Sequence, residues 1–297
     1  SVSRGLGDVY KRQALATGYR NTNIVLGIIV IIIMAICVFS IVEINPPTQS
    51  AGKSSLVKDI SSLVKNKYYI MFLGEVFFLF LGYLSMYGAM QYYYTYIVGD
   101  VSGMSLALTL LTLLAIPTMI LAAYLNGKGI AKIKLIQFGA IVDIIGYAIL
   151  FFTSDGTIAT AALGLIGLGF GFRSSMFFSM MPDIFDYTEW QVGRNLGGTQ
   201  NAIQGFVNKV SSAAASAIVS ALLVWGNYDA SKLDKAIADG VDIATKYPQT
   251  HTAINFAFGG LALVSTVMAV VVLLPYDLDK KYPQIRADLD KRHKENA

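Results

Sequence analysis

A chain of 297 residues that is 55% hydrophobic and only 14% charged, with a mean hydropathy of +0.55, is too apolar for a soluble domain and points to a polytopic membrane protein. Its net charge of +4 gives no argument for a nucleic-acid partner. One cysteine, Cys37, excludes a disulfide framework or a multi-cysteine metal site within the chain.

Residues 1–21 match neither a targeting signal nor a stable element and read as a leader or loop outside the fold. A bilayer crossing needs about 20 mainly apolar residues. Seven stretches qualify: 22–43, 68–98, 103–126, 133–153, 157–181, 198–225 and 252–275. The expected fold is therefore all-α and polytopic, with 68–275 as a six-helix bundle and 276–297 as a tail. In the 44–67 linker, Pro46 and Pro47 stop the first helix. Beyond them Leu56, Ile60, Leu63 and Val64 recur at helical spacing among lysines, as in an amphipathic helix on a membrane surface. Residues 226–250 form a polar connection with some helical pattern.

Orientation follows from lysine and arginine. With the linker in the cytoplasm, the basic residues of 53–67, 128–134, Arg194 and the tail all fall inside. Only Lys232, Lys235 and Lys246 fall in the outer loops after it. The C-terminus is then cytoplasmic. One helix, a cytoplasmic linker and six helices match the second half of a twelve-helix transporter, preceded by the last helix of the first half.

Four ionisable residues lie within the spans: Glu75, Asp143, Arg173 and Lys209. Each costs roughly 2.5–3.5 kcal/mol at a helix centre on insertion scales, so each is a functional candidate. Glu75 and Arg173 sit at similar depth and read as a structural ion pair, with snorkelling of Arg173 as the other reading. Asp143, beside Gly146 and Tyr147, reads equally as a buried hydrogen-bonding group or a transport residue. Around Lys209, at about 100° per residue, Asn201, Gly205, Asn208, Ser212, Ser216 and Ser220 share one polar arc flanked by Gln204. Such a stripe suits a helix lining a wet cavity. Close helix packing through small residues is the competing explanation, and Asn and Lys argue against it.

On 68–98, Tyr83, Tyr87, Met90 and Tyr94 share a face beside Gln91. Tyrosine offers a ring face and a hydroxyl, which suits a sugar. Tyr92 to Tyr96 read as an interfacial aromatic belt.

Four segments in this order, "AMQYYYTYIVGD", "DIFDYTEWQVGRNLGG", "QGFVNKVSSA" and "YDLDKKYPQIRADLDKR", resemble the C-terminal half of glycoside–pentoside–hexuronide:cation symporters, the melibiose-carrier family of the major facilitator superfamily. The resemblance covers residues 22–292. It implies symport of a glycoside, pentoside or hexuronide with Na⁺ or H⁺ across the cytoplasmic membrane, without a cofactor or a metal held by this chain alone. It makes Lys209 a residue near the cation site and Gln204 a polar position facing the sugar. Asp183, Asp186, Glu189 and Arg194 match a charged cytoplasmic loop whose ion pairs close that side. The basic 127–134 segment is a fitting partner, since exposed pairs contribute only about 0–1 kcal/mol each and can break. Ser174 stands where the melibiose carrier has a sugar-site tryptophan, and Gly205 where it has a threonine. The loop glutamate expected after Arg194 is also replaced, which leaves the sugar open. The resemblance places the cation-binding carboxylates on an N-terminal half outside this chain, so the chain alone is expected to be an inactive fragment.

Three other readings are weighed. A lipid or peptide symporter of the same superfamily would fit a cavity without sugar-stacking aromatics. A retinal protein would place its lysine on the last span and surround it with aromatics; here the lysine is on the penultimate span, and Trp190 and Trp225 lie at or beyond span ends. An enzyme is not expected, because HExxH and GxSxG are missing and His251 and His293 fall outside the predicted spans.

Overall fold

The computed structural model describes residues 2–40 and 56–295 in two units, Ser1–Ser50 and Ala51–Ala297. Among the described residues all regular structure is helical, and seven helices are long and apolar enough to cross a membrane. The protein is an all-α, multi-pass membrane protein.

The first unit is one helix, α1 (Val2–Ser40), with a membrane-length segment at Arg20–Ser40. This corrects the reading of 1–21 as loop. Residues 1–21 hold no proline, and once a helix is nucleated each further residue adds one backbone hydrogen bond. The proline stop at 46–47 lies outside the described residues.

The second unit opens with α2 (Leu56–Lys65). Asn66 caps α3 (Lys67–Tyr92), accepting from the amides of Tyr68 and Tyr69 at 3.0 and 3.1 Å. A π segment, Tyr93–Val98, prolongs α3 to Gly99, whose φ of 75° ends it. Then follow α4 (Ser102–Gly127), α5 (Lys132–Phe152), α6 (Gly156–Val192) and α7 (Gly197–Trp225). Short helices α8 (Ala230–Ala238) and α9 (Ile243–Lys246) lead to a last span: α10 (Pro248–Asn255), a π segment Phe256–Gly260, and α11 (Leu261–Leu273). Helix α12 (Leu278–Glu295) closes the unit. His251 falls in α10, inside the last span rather than before it, and its Nε2 lies 3.0 Å from Ser154 Oγ.

Glycine places the centre of the bundle. Helix α6 reads GLIGLGFGFR, and Gly167 and Gly171 press against the α4 backbone at Leu111 and Ala115. Gly169 meets Gly139 of α5 in the same way. Missing side chains let these backbones approach closely. Helix α7 packs through Ser211, Ala215, Val219 and Leu223, a ridge repeating every four residues, and leaves most of its surface open.

Two aromatic-rich cores fill the bundle ends. At the α2/α12 end, Phe72 stacks on Phe177 at 4.8 Å, near buried Tyr68 and Leu289. At the α8/α9 end, Tyr93 stacks on Phe258 at 4.4 Å, so the two π segments meet through their rings. Tyr93, Tyr94 and Tyr96 are buried there, which corrects the belt reading. Their hydroxyls find partners in Thr153 O, Thr160 and Tyr228 at 3.1–3.2 Å, so the rings are held within the protein.

Helix α6 has 37 residues, far more than the about 20 a crossing needs. It continues well past residue 181. Asp183, Asp186 and Glu189 therefore stand on a helix rather than on the expected loop, which is confined to the residues after Gly193. The first strong terminator is Gly193 itself, at φ 77°.

Candidate functional site

The charges inside the bundle converge on one guanidinium. Arg173 of α6 donates from Nη2 to Glu75 Oε1 of α3 at 2.9 Å and from Nη1 to Asp143 Oδ2 of α5 at 3.0 Å. The predicted Glu75–Arg173 pair is present, and Asp143 joins it. Arg173 and Asp143 are 1% exposed and Glu75 3%, so water reaches none of them. Among the described residues Glu75 Oε2, Asp143 Oδ1 and Arg173 Nε have no hydrogen-bond partner. Snorkelling of Arg173 is excluded by its burial.

The tyrosine face of α3 splits. Tyr83 and Tyr87 share a hydroxyl contact at 3.1 Å and, with exposed Gln91, form an accessible row at four-residue spacing. Tyr83 also stacks on Phe170 of α6 at 4.8 Å. Met90 and Tyr94 turn into the core instead.

On α7, Lys209 and Asn201 are exposed, and Asn208 and Gln204 are half-buried. Among the described residues Lys209 has no ion-pair or hydrogen-bond partner, neither Glu75 nor Asp143. Ser174, by contrast, is buried and spends its hydroxyl on Phe170 O at 2.8 Å.

The four gate candidates are all engaged at the α2/α12 end. Asp183 accepts from Lys132 Nζ at 2.6 Å, the partner in the basic 127–134 segment, at the start of α5. The other partners lie elsewhere. Asp186 accepts from Tyr282 Oη at 2.7 Å and Arg286 at 3.1 Å, and Glu189 lies 2.6 Å from His293 Nε2. These three partners are on α12, so the tail is a strap laid along the α6 extension. Asp279 fastens it further by accepting from the Ile133 amide at 2.9 Å. Arg194 pairs with Asp59 of α2.

One network at this end had no counterpart in the sequence reading. Thr188 Oγ1 accepts from Asn66 Nδ2 at 2.8 Å and from Gln200 Nε2 at 2.9 Å, while Tyr69 donates to Gln200 O at 2.7 Å. It ties the starts of α3 and α7 to α6. A glutamine just inside a span beside paired glycines was the one available signal.

Where the tail leaves α11, Lys281 and the Tyr68 hydroxyl bonded to Asp277 hold its carboxyl down at about 2. A depressed carboxyl contributes stability that is complete above its unfolded value of about 4. That contribution is lost as the pH falls through about 2. Trp190 reports on the strap, since its Nε1 donates to Asp288 at 3.2 Å. In a Trp225→Phe background its fluorescence should change between pH ~4 and ~2, and Asp277→Asn should remove that step. An unchanged step in the variant would acquit Asp277.

Against known proteins, the MFS/sugar transport protein family model matches residues 8–280. The isoprimeverose transporter of Lactiplantibacillus pentosus is 26% identical over 287 residues, covering 95% of this chain and 57% of its own length. The inner membrane symporter YicJ of Escherichia coli K12 is 26% identical over 271 residues, with 89% and 54% covered. The glucuronide carrier protein homolog of the same organism is 22% identical over 287 residues, with 95% and 59% covered. The chain thus spans about half the length of the curated relatives it matches, all of which carry the names of transporters rather than enzymes. With an all-helical bundle of membrane length, polar faces on two of its helices and a family match over most of its residues, the chain belongs to the MFS/sugar transport protein family.

Proposed function

We propose that this chain forms one bundle of an alternating-access carrier that moves a glycoside, pentoside or hexuronide with Na⁺ or H⁺. The carrying observation is Lys209, an exposed charge without a partner among the described residues, on a membrane-length helix. Such a charge is costly against lipid and tolerable in a water-filled cavity. A second bundle opposite α7 would complete that cavity and supply carboxylates for Lys209. In this reading Lys209 is a movable positive charge that responds when those carboxylates take up the coupling cation. Tyr83, Tyr87 and Gln91 offer ring faces and hydrogen bonds to a sugar, and Asn201, Gln204 and Asn208 line the α7 side. Buried Ser174 would act behind the cavity wall, through the Phe170 on which Tyr83 stacks.

The α2/α12 end would face the cytoplasm of a bacterial inner membrane, following its lysines and arginines. The acids of α6, strapped to α12 and to Lys132, would hold that end together as the bundles rock.

Uptake of labelled isoprimeverose and of a β-glucuronide decides the matter. The chain alone should accumulate neither, and coexpression with the first-half bundle of a relative should restore accumulation. In that pair Lys209→Ala should abolish concentrative uptake while membrane expression persists. Normal accumulation by the variant would overturn the role of Lys209.

A further inference from the structure

We propose that the Glu75–Arg173–Asp143 triad is a proton-binding site inside the bundle, with one proton carried by one of its two carboxyl groups. Charge arithmetic leads there. One guanidinium faces two carboxyls, so a fully ionised triad carries a net charge of −1 in a place where its members are 1–3% exposed. An uncompensated charge so buried is strongly disfavoured, and a carboxyl in that position neutralises instead.

Among the described residues no neighbouring group supplies the missing positive charge. Helix α11 has no titratable side chain, and α4 has only the exposed Tyr124. The one titratable residue of α7 is Lys209, which is exposed and unpaired among the described residues. Facing the triad are tyrosines: Tyr147, one turn after Asp143 and 3% exposed, lies within electrostatic reach of Asp143, Arg173, Tyr83 and Tyr87.

The oxygens fit a proton better than a metal ion. Each carboxyl gives one oxygen to Arg173, and the other oxygen, Glu75 Oε2 or Asp143 Oδ1, has no partner among the described residues. A bare cation needs several converging oxygens, and here the guanidinium stands between the carboxyls. Among the described residues no group of three or more potential metal ligands occurs. Binding therefore means that one O–H bond forms on a free carboxylate oxygen and no other bond changes.

Position gives the site a use. Tyr147 lies within electrostatic reach of the triad, of half-buried Tyr83 and of exposed Tyr87, where a sugar would lie, so the proton and the sugar would be felt by one set of side chains. This deepens the proposed carrier function by choosing H⁺, and depends on that function only for its use.

The test is infrared spectroscopy of the full chain in lipid nanodiscs. The wild type should show a protonated-carboxyl band that shifts in D₂O. Glu75→Gln and Asp143→Asn should each lose it, because the remaining carboxylate then balances Arg173. Both variants should fold, since an amide replaces an acid without adding charge. A band unchanged in both variants, its absence from the wild type, its displacement when Na⁺ replaces choline, or failure of both variants to fold would overturn the proposal. In the coexpressed pair, absence of sugar uptake with the band intact would count against the carrier reading alone.

Discussion

Arg173→Met should prevent recovery of a folded bundle. The substitution keeps most of the side-chain volume and removes the cation that pairs with both buried carboxyls. Breaking a buried pair by deleting one partner costs about 3–5 kcal/mol, and here two acids lose their partner together. Stabilities of about 5–15 kcal/mol leave little after such a loss. Fluorescence-detected size-exclusion chromatography should show aggregate in place of a monodisperse peak. The triple variant Arg173→Met, Glu75→Gln, Asp143→Asn should recover much of that peak, because its polar groups are neutral. Arg173→Lys should fall between, since one ammonium cannot reproduce a fork that reaches α3 and α5 at once. A monodisperse Arg173→Met protein with wild-type thermal unfolding would show that the triad does not hold the bundle.

The second large effect belongs to the α4–α6 contact. A Cβ at Gly167 would lie 2.2 Å from Leu111 O, and one at Gly171 would lie 1.9 Å from Thr118 Oγ1 and 2.4 Å from Ala115 O. Two of these obstacles are backbone atoms of α4, which no rotamer change can move. Gly171→Leu should therefore separate the helices and cost more than the about 1–3 kcal/mol of ordinary overpacking. Gly164→Ala provides the contrast. Its nearest obstacle is Leu114 Cδ1 at 3.2 Å, the far end of a flexible side chain. Thermal unfolding in detergent should place Gly164→Ala close to wild type and Gly171→Leu far below it. Equal melting of the two would remove close backbone approach as the reason for these glycines.

The sequence carried the spans because crossing a bilayer is a requirement on local composition, which needs no knowledge of neighbouring helices. It also carried the polar arc around Lys209, since helical periodicity alone puts Asn201, Asn208 and Ser212 on one side. Other features depended on where helices meet. Asp143 could not be assigned to Arg173 from spacing, because thirty residues and a turn separate them and only the close α5–α6 packing through Gly139 and Gly169 brings them together. Tyr92 to Tyr96 carry the composition of an interfacial belt, yet the stack of Tyr93 on Phe258 draws that end into the core. Asp186 and Glu189 stood out as gate acids, while their partners on α12 lie about a hundred residues downstream.

The chain alone thus determined how many helices are long and apolar enough to cross a membrane, and which residues must avoid lipid. The tertiary structure decided which charges neutralise one another and which stay open. A helix's composition fixes what it must bury, but its rotation and depth are set by the close fit of its neighbours. Those two quantities put Arg173 between two acids and left Lys209 without one among the described residues.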